Sequence, residues 1–384
     1  MTAGSDTRHV AEAAQATEKP HIRGTGEPSP TSQTNRNAPR EIALEVQGLS
    51  KRFEDVQALK DISFEVFSGE LFGFLGPNGA GKTTTINILT GLARPDTGSI
   101  RIGGVDCVAH PRSAQHLLGV VPDESNLYAE LTGFDNLTFC AALYGMGKKE
   151  RTARARELLE FFSLTPAANR KFGSYSKGMK RKLTIAAGII HNPKILFLDE
   201  PTTGIDVASA RQLRQLIAKL HQGGTTIFLT THYIEEAERL CERIAFIVEG
   251  RIVRVDRVET LMEPIQNHHV LHLAYQEGPE NLKALLQQEP FEEEYTFSSP
   301  EGGVLQVEAA HPIRVGALVR FLEDRGAEVY EARKIRPSLE NVFVQITGIE
   351  AGMMQKEKER KGGNGGSKSD KGSTNNKKNE GGEA

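Results

Sequence analysis

The chain has 384 residues, a formal net charge of −3 and 38% hydrophobic residues, enough for two compact domains with tails. Its near-neutral charge gives no basic footprint for nucleic acid. Cys107, Cys140 and Cys241 are too scattered for a C-x-x-C pair, a disulfide framework or a zinc site. No apolar run approaches the ~18 residues that span a bilayer, the start lacks the apolar core of a signal peptide, and the scattered thiols suit a reducing compartment.

Residues 1 to about 40 are polar and rich in proline (Pro20, Pro28, Pro30, Pro39), a composition that predicts disorder. Ile42, Leu44 and Val46 alternate with polar residues and predict an edge-type strand, and Ile62 to Val66 predicts a second. Leu71 to Leu75 is a short apolar run that reads as a buried strand. It leads into Gly76-Pro77-Asn78-Gly79-Ala80-Gly81-Lys82-Thr83, which fits G-x-x-x-x-G-K-[ST], and Thr84 follows. Glycines there let the backbone turn its N–H groups toward phosphate oxygens, and the helix expected from Thr83 to about Gly91 adds its positive end. Lys82 would reach the β- and γ-phosphates, and the Thr83 hydroxyl would hold Mg²⁺.

Pro95 to Gly98 is a turn before a strand at Ile100 and Ile102. From about Leu127 to Phe172 the pattern turns helical, with Leu137, Ala141, Leu143 and Tyr144 marking one helix and Ala153, Leu158, Leu159 and Phe162 another. Ser176 then caps a helix that includes Gly178 and the run from Met179 to Ala187, whose first turn offers free N–H groups to an anion. One domain cannot easily aim two opposite helix N-termini at one γ-phosphate, whereas a second copy, turned around, can.

Ile195 to Leu198 has no polar alternation and predicts a central parallel strand buried on both faces. Asp199 at its end falls beside the phosphate loop, where open α/β sheets place ligands, and an acid there binds Mg²⁺. Glu200 is placed to polarise an attacking water. Thr226 to Thr230 forms a further strand just before His232. After Glu263-Pro264 the pattern predicts a strand at Val270 to Tyr275, a helix at Glu280 to Gln288, strands near Glu294 to Phe297 and Val304 to Ala309, a helix at Ile313 to Arg325 and a strand at Glu328 to Ala332. That βαββαβ order fits a ferredoxin-like module. Pro337 to Glu340 starts a last helix with Phe343 and Ile346 facing inward, His268-His269 lacks the further ligands a metal needs, and residues 350 to 384 predict disorder.

Taken together, the order GPNGAGKTT, YSKGMKRK, ILFLDEPTTGID and Thr230-Thr231-His232 resembles the ATP-binding subunits of ABC transporters over roughly residues 41 to 262. The resemblance implies an α/β fold: a P-loop ATPase core with an antiparallel β portion and an inserted helical lobe (about 125–178). The ATPase domain spans 41–263, a small α+β ferredoxin-like accessory domain spans 264–348, and 1–40 and 349–384 are tails. The accessory region resembles that of drug- and antibiotic-export subunits. The resemblance implies ATP and Mg²⁺ as cofactors, with Phe53 stacking on adenine. Gly76 to Thr84 would hold the phosphates, Thr83 and Asp199 the metal, Glu200 would be the base, and His232 would contact the γ-phosphate. Ser176 and Gly178 would act on the ATP of a second subunit, and the Gly204-Ile205-Asp206 loop would couple the two sites.

Two positions depart from the family. Asp123, after Val120-Val121-Pro122, stands where the family has Gln, a neutral Mg²⁺ ligand; it is either a charged ligand or a solvated loop carboxylate. Lys177 and Met179 replace the usual Gly and Gln of the signature, and Lys177 either faces the partner's ATP or is solvated. The implied assembly is a dimer, with itself in the first instance, on the cytoplasmic face of a membrane through a separate integral permease, without nucleic acid. The competing reading is a soluble mechanical ATPase of the same type. It would need inserted coiled coils or a second ATPase unit, and the chain has neither. A guanine-specific N-K-x-D motif is also missing.

Overall fold

A computed structural model describes residues 40–266, 269–276, 294–299, 303–335 and 338–349. Both expected tails, the helix expected at Glu280 to Gln288, and His268 lie outside the described residues.

Strands β1 (Ile42–Phe53) and β2 (Val56–Phe67) form a long antiparallel hairpin with Phe53 opposite Val56 at its tip. With β4 (Thr97–Ile102) and β5 (Val105–Asp106) they build a sheet in the order β2-β1-β4-β5. β1 is therefore interior, not the expected edge strand. Its alternation reflects one buried and one solvated sheet face, which an interior antiparallel strand shares with an edge strand.

The second sheet runs β10-β9-β3-β8-β7-β6. Its strands are β3 (Leu71–Leu75), β6 (Leu118–Val121), β7 (Ile195–Asp199), β8 (Thr226–Thr231), β9 (Arg243–Val248) and β10 (Arg251–Arg257). All but β10 are parallel to their neighbours. Every residue of β3, β7 and β8 is buried, as the unbroken apolar runs require when helices cover both faces. β7 is interior but second from the edge; β3 and β8 hold the centre. Phe64 reaches from β2 onto β3 and β8, stacking on Phe72 at 5.7 Å and lying 5.8 Å from Phe228. These ring contacts join the two sheets, each adding about 0.5–1.5 kcal/mol beyond its buried area.

Helix α1 (Lys82–Leu89) follows β3, and α2 (Pro111–Gln115) precedes β6. α1 stops before Leu92, which is exposed. The inserted lobe contains α3 (Gly133–Leu143) and α4 (Lys148–Phe161). Leu137 and Ala141 face its core as expected, but Leu143 points out, 69% exposed. α5 (Lys177–Gly188) returns the chain to the sheet, and α6 (Val207–Gln222), α7 (Ile234–Leu240) and α8 (Val258–Gln266) complete the ATPase core. α8 runs through Pro264, where the sequence suggested a boundary.

The C-terminal part has β11 (His269–Gln276), β12 (Thr296–Ser298), β13 (Val304–Ala309), α9 (Val315–Glu323) and β14 (Glu328–Ile335), with antiparallel sheet order β12-β13-β11-β14. Leu271, Leu273, Leu305, Val307, Leu318 and Leu322 form its own core. The last helix, α10 (Leu339–Thr347), does not join it. Leu339, Val342 and Phe343 pack into the core of the ATPase with Phe246, Leu261 and Ile265, and Phe343 meets Phe246 edge-on at 5.4 Å. The chain thus leaves the ATPase core at α8 and returns to it at α10.

Candidate nucleotide and metal site

The phosphate loop is shaped by contacts that exclude side chains. A Cβ on Gly76 would lie 2.2 Å from the Ile247 carbonyl oxygen, so only glycine lets the loop pass β9. Gly81, at φ 108, has Ala58 O at 2.8 Å from where its Cβ would stand. Gly79 also has a positive φ of 78, but open space around it, so its backbone faces the cleft. Such a cradle of left-handed turns before a helix N-terminus suits phosphate oxygens.

Lys82 is buried at the start of α1 and donates from Nζ to Gly76 O at 2.8 Å and Pro77 O at 3.1 Å, with Glu200 Oε1 at 3.4 Å. Thr83 is exposed and hydrogen-bonds to the Asp199 carboxylate. Thr230 donates to Asp199 Oδ1 at 2.5 Å. Burial pushes the Asp199 carboxyl up from its ordinary range, against the pull of Thr230. A hydroxyl beside a nearly buried carboxylate at the mouth of a phosphate loop is the donor set that Mg²⁺ takes, its remaining positions going to phosphate and water. Among the described residues no group of three or more His, Cys, Asp or Glu side chains forms a metal cage.

Glu200 adopts φ 43, a left-handed conformation rare outside glycine. Its N–H donates to Thr230 O at 3.1 Å, and its Oε2 accepts from Thr203 Oγ1 at 3.0 Å. His232 Nδ1 lies 3.0 Å from Glu200 Oε2 without the alignment of a hydrogen bond. Lysine and histidine thus flank one carboxylate at the end of β7.

Phe53 stands at the tip of the β1–β2 hairpin, 48% exposed, with Lys51 Nζ 5.1 Å from its ring centre. It lines an open cleft of about 700 Å³ together with Asn78, Gly79, Gly81 and Lys82. Thr83, Thr84 and Glu200 line it too. Pro77 and Ala80 shape the loop, and the Ala80 N–H donates to Pro77 O at 3.2 Å.

Among the expected site residues that do not line this cleft are Ser176, Gly178, Asp206 and Asp123. Ser176 caps α5, its hydroxyl accepting from Met179 N at 3.3 Å, and Lys177 beside it is exposed. Gly178 is required by packing: a Cβ there would meet Ser209 Oγ at 2.7 Å, where α5 abuts α6. Asp206 caps α6, accepting from Ser209 N at 2.9 Å, and the hydrogen bonds from Ser209 hold its carboxyl below the usual range. Asp123 is exposed, with Oδ1 3.4 Å from the guanidinium of Arg181. Arg181 itself is a site-side residue the motif reading passed over. Its three-residue spacing from Gly178 puts it on the inward face of α5, and a charge on that face is the signal that marks it.

The family of ABC transporters matches residues 59–203. The "Nod factor export ATP-binding protein I" of Burkholderia thailandensis is 38% identical over 307 residues, covering 80% of this chain and 97% of that protein. The chain belongs to the ABC transporter ATP-binding family. The daunorubicin resistance ATP-binding protein DrrA2 of Streptomyces coeruleorubidus is 36% identical over 313 residues, 80% of this chain and 95% of that one. A solved ATP-binding subunit of an ABC transporter aligns with TM-score 0.53 at 31% identity, over 58% of this chain and 93% of its own. A dimeric cassette in a post-hydrolysis state bound to ADP and Pi aligns with TM-score 0.51 at 28% identity, over 56% and 98%. As an ABC ATPase the chain is an ATP hydrolase with a P-loop fold.

Proposed function

We propose that two copies of this chain, head to tail, sandwich two ATP molecules and drive export through a separate membrane permease. The observation that carries this is the placement of Ser176 and Gly178. They start a helix with free N–H groups, yet do not line the cleft that holds Lys82 and Glu200, so a second copy is needed to present them there. Phe53 stacks on the base, Lys82 and the Gly79–Gly81 backbone bind phosphate oxygens, and Asp206 shapes the loop between the two sites. Thr83 and Asp199 would hold Mg²⁺, which when bound neutralises phosphate charge. Glu200 polarises the water, with Lys82 beside its carboxylate, and His232 positions the γ-phosphate.

Export is supported by the names of the relatives, which include Nod factor export and daunorubicin resistance proteins. No helix among the described residues is long and apolar enough to cross a membrane, which supports a permease on a separate chain, with this subunit on its cytoplasmic side. A docking face is offered by the lobe, where Tyr128, Phe139 and Leu143 are exposed and Tyr128 meets Phe139 edge-on at 5.3 Å. The C-terminal sheet order, with α9 as one crossover, supports a ferredoxin-like accessory module.

The test is Glu200→Gln. It should bind ATP but hydrolyse it about 10²–10⁴-fold more slowly, and with ATP and Mg²⁺ it should accumulate as a dimer in light scattering. Full turnover would sink the base role, and a monomer under those conditions would sink the sandwich.

A further inference from the structure

Arg181 is 5% exposed. A guanidinium is costly to bury unless its donors are satisfied, and Arg181 spends them on two loops. One arm donates to Pro122 O, and the other donates to Asp123 Oδ1 at 3.4 Å and to Glu200 O at 3.2 Å. Glu200 is thereby held at both ends of its backbone: its N–H by Thr230 on β8, its carbonyl by Arg181 on α5. That double anchorage sits on a residue whose φ of 43 is costly to maintain. α5 is also the helix whose N-terminus carries Ser176 and Gly178.

We propose that Arg181 is a positioning residue for hydrolysis: it fixes the backbone of Glu200 in its left-handed conformation and ties it to the 122–123 loop, with Asp123 as the counter-ion of Arg181. This rests on Glu200 being the base. Arg181 is not among the residues lining the cleft; it sets the direction in which the Glu200 carboxylate points. Asp123 then occupies the position of the family's Gln for a different reason. A carboxylate offsets the buried guanidinium, which a neutral amide would do less well.

The experiment is single-turnover ATP hydrolysis by the full chain, enzyme in excess, so that slow rates stay measurable. Arg181→Ala should lower the rate constant by about 10- to 100-fold, the scale of a misplaced catalytic group, while ATP binding stays within about threefold. Arg181→Lys keeps the buried charge and so guards against misfolding; it loses the fork that reaches Glu200 and should show the same split between rate and binding, less severely. In the Glu200→Gln background neither substitution should slow hydrolysis further, because residues that act as a unit are not additive. Additive losses in the double variants, or a parental rate for Arg181→Ala, overturn the proposal. If Glu200→Gln alone turns over like the parent, it is the base role that fails. Asp123→Asn should leave the Mg²⁺ titration midpoint unchanged while lowering the rate. A shifted midpoint returns Asp123 to the metal and overturns the counter-ion assignment.

Discussion

At the scale of single residues, the proposed ligands separate from groups that shape the site. Phe53 is half exposed and braces little, so Phe53→Ala should leave folding intact and raise the KM for ATP, by about 1–3 kcal/mol of lost base stacking. Unchanged KM in a steady-state assay would remove Phe53 from the site. The glycines of the loop divide in the same way. Gly76→Ala drives a methyl into the backbone of β9, so it should lower both the melting temperature and ATP affinity. Gly79→Ala meets open space and pays only for its positive φ, about 1–2 kcal/mol. A melting temperature lowered more by Gly79→Ala than by Gly76→Ala would contradict this account. That Gly76 to Thr84, Asp199 and Glu200 would come together was legible in the sequence, because strand, loop and helix fix their positions locally. Arg181 was not, because its three acceptors lie 59, 58 and 19 positions away along the chain.

At the scale of elements, the lobe is joined to the core by a ring stack. Tyr144, just past α3, lies flat on His191, just past α5, at 3.6 Å and 7°. His191 Nε2 donates to Leu118 O at 3.0 Å, and its buried Nδ1 has no acceptor. A proton on Nδ1 would therefore be unsatisfied, and burial pushes the imidazole down from 6.5 to about 4. The sign follows from linkage. Between about pH 6.5 and 4 the unfolded chain takes up a proton that the folded one refuses, so stability falls as pH drops through that window. His191→Phe keeps a ring for Tyr144 and removes the titration. Its urea midpoint should change less between pH 7 and pH 5 than the parent's, and an equal change would show that other groups carry the effect.

At the scale of the whole molecule, α10 closes the ATPase core from the far end of the chain. Phe343 is fully buried against Phe246, and Leu339 N donates to Glu238 Oε2 of α7 at 3.0 Å, the helix that follows His232. Phe343→Ala should cost about 3–5 kcal/mol of stability, the range for a large core ring, and the loss should register in the unfolding of the ATPase domain rather than in that of the accessory sheet alone. An ATPase unfolding transition unchanged in calorimetry would place α10 outside that core. The sequence by itself determined the nucleotide chemistry, the strand–loop–helix that carries it, the capped signature helix and most C-terminal strands, since each depends on local periodicity, turn chemistry or a short motif. Tertiary structure alone decided that β1 is interior, that Leu143 faces out and that Asp123 faces Arg181. It also decided that the last helix belongs to the first domain. Strand neighbours, solvent exposure and charge partners are settled by residues distant in the chain, and no local pattern encodes which distant surface an apolar face will meet.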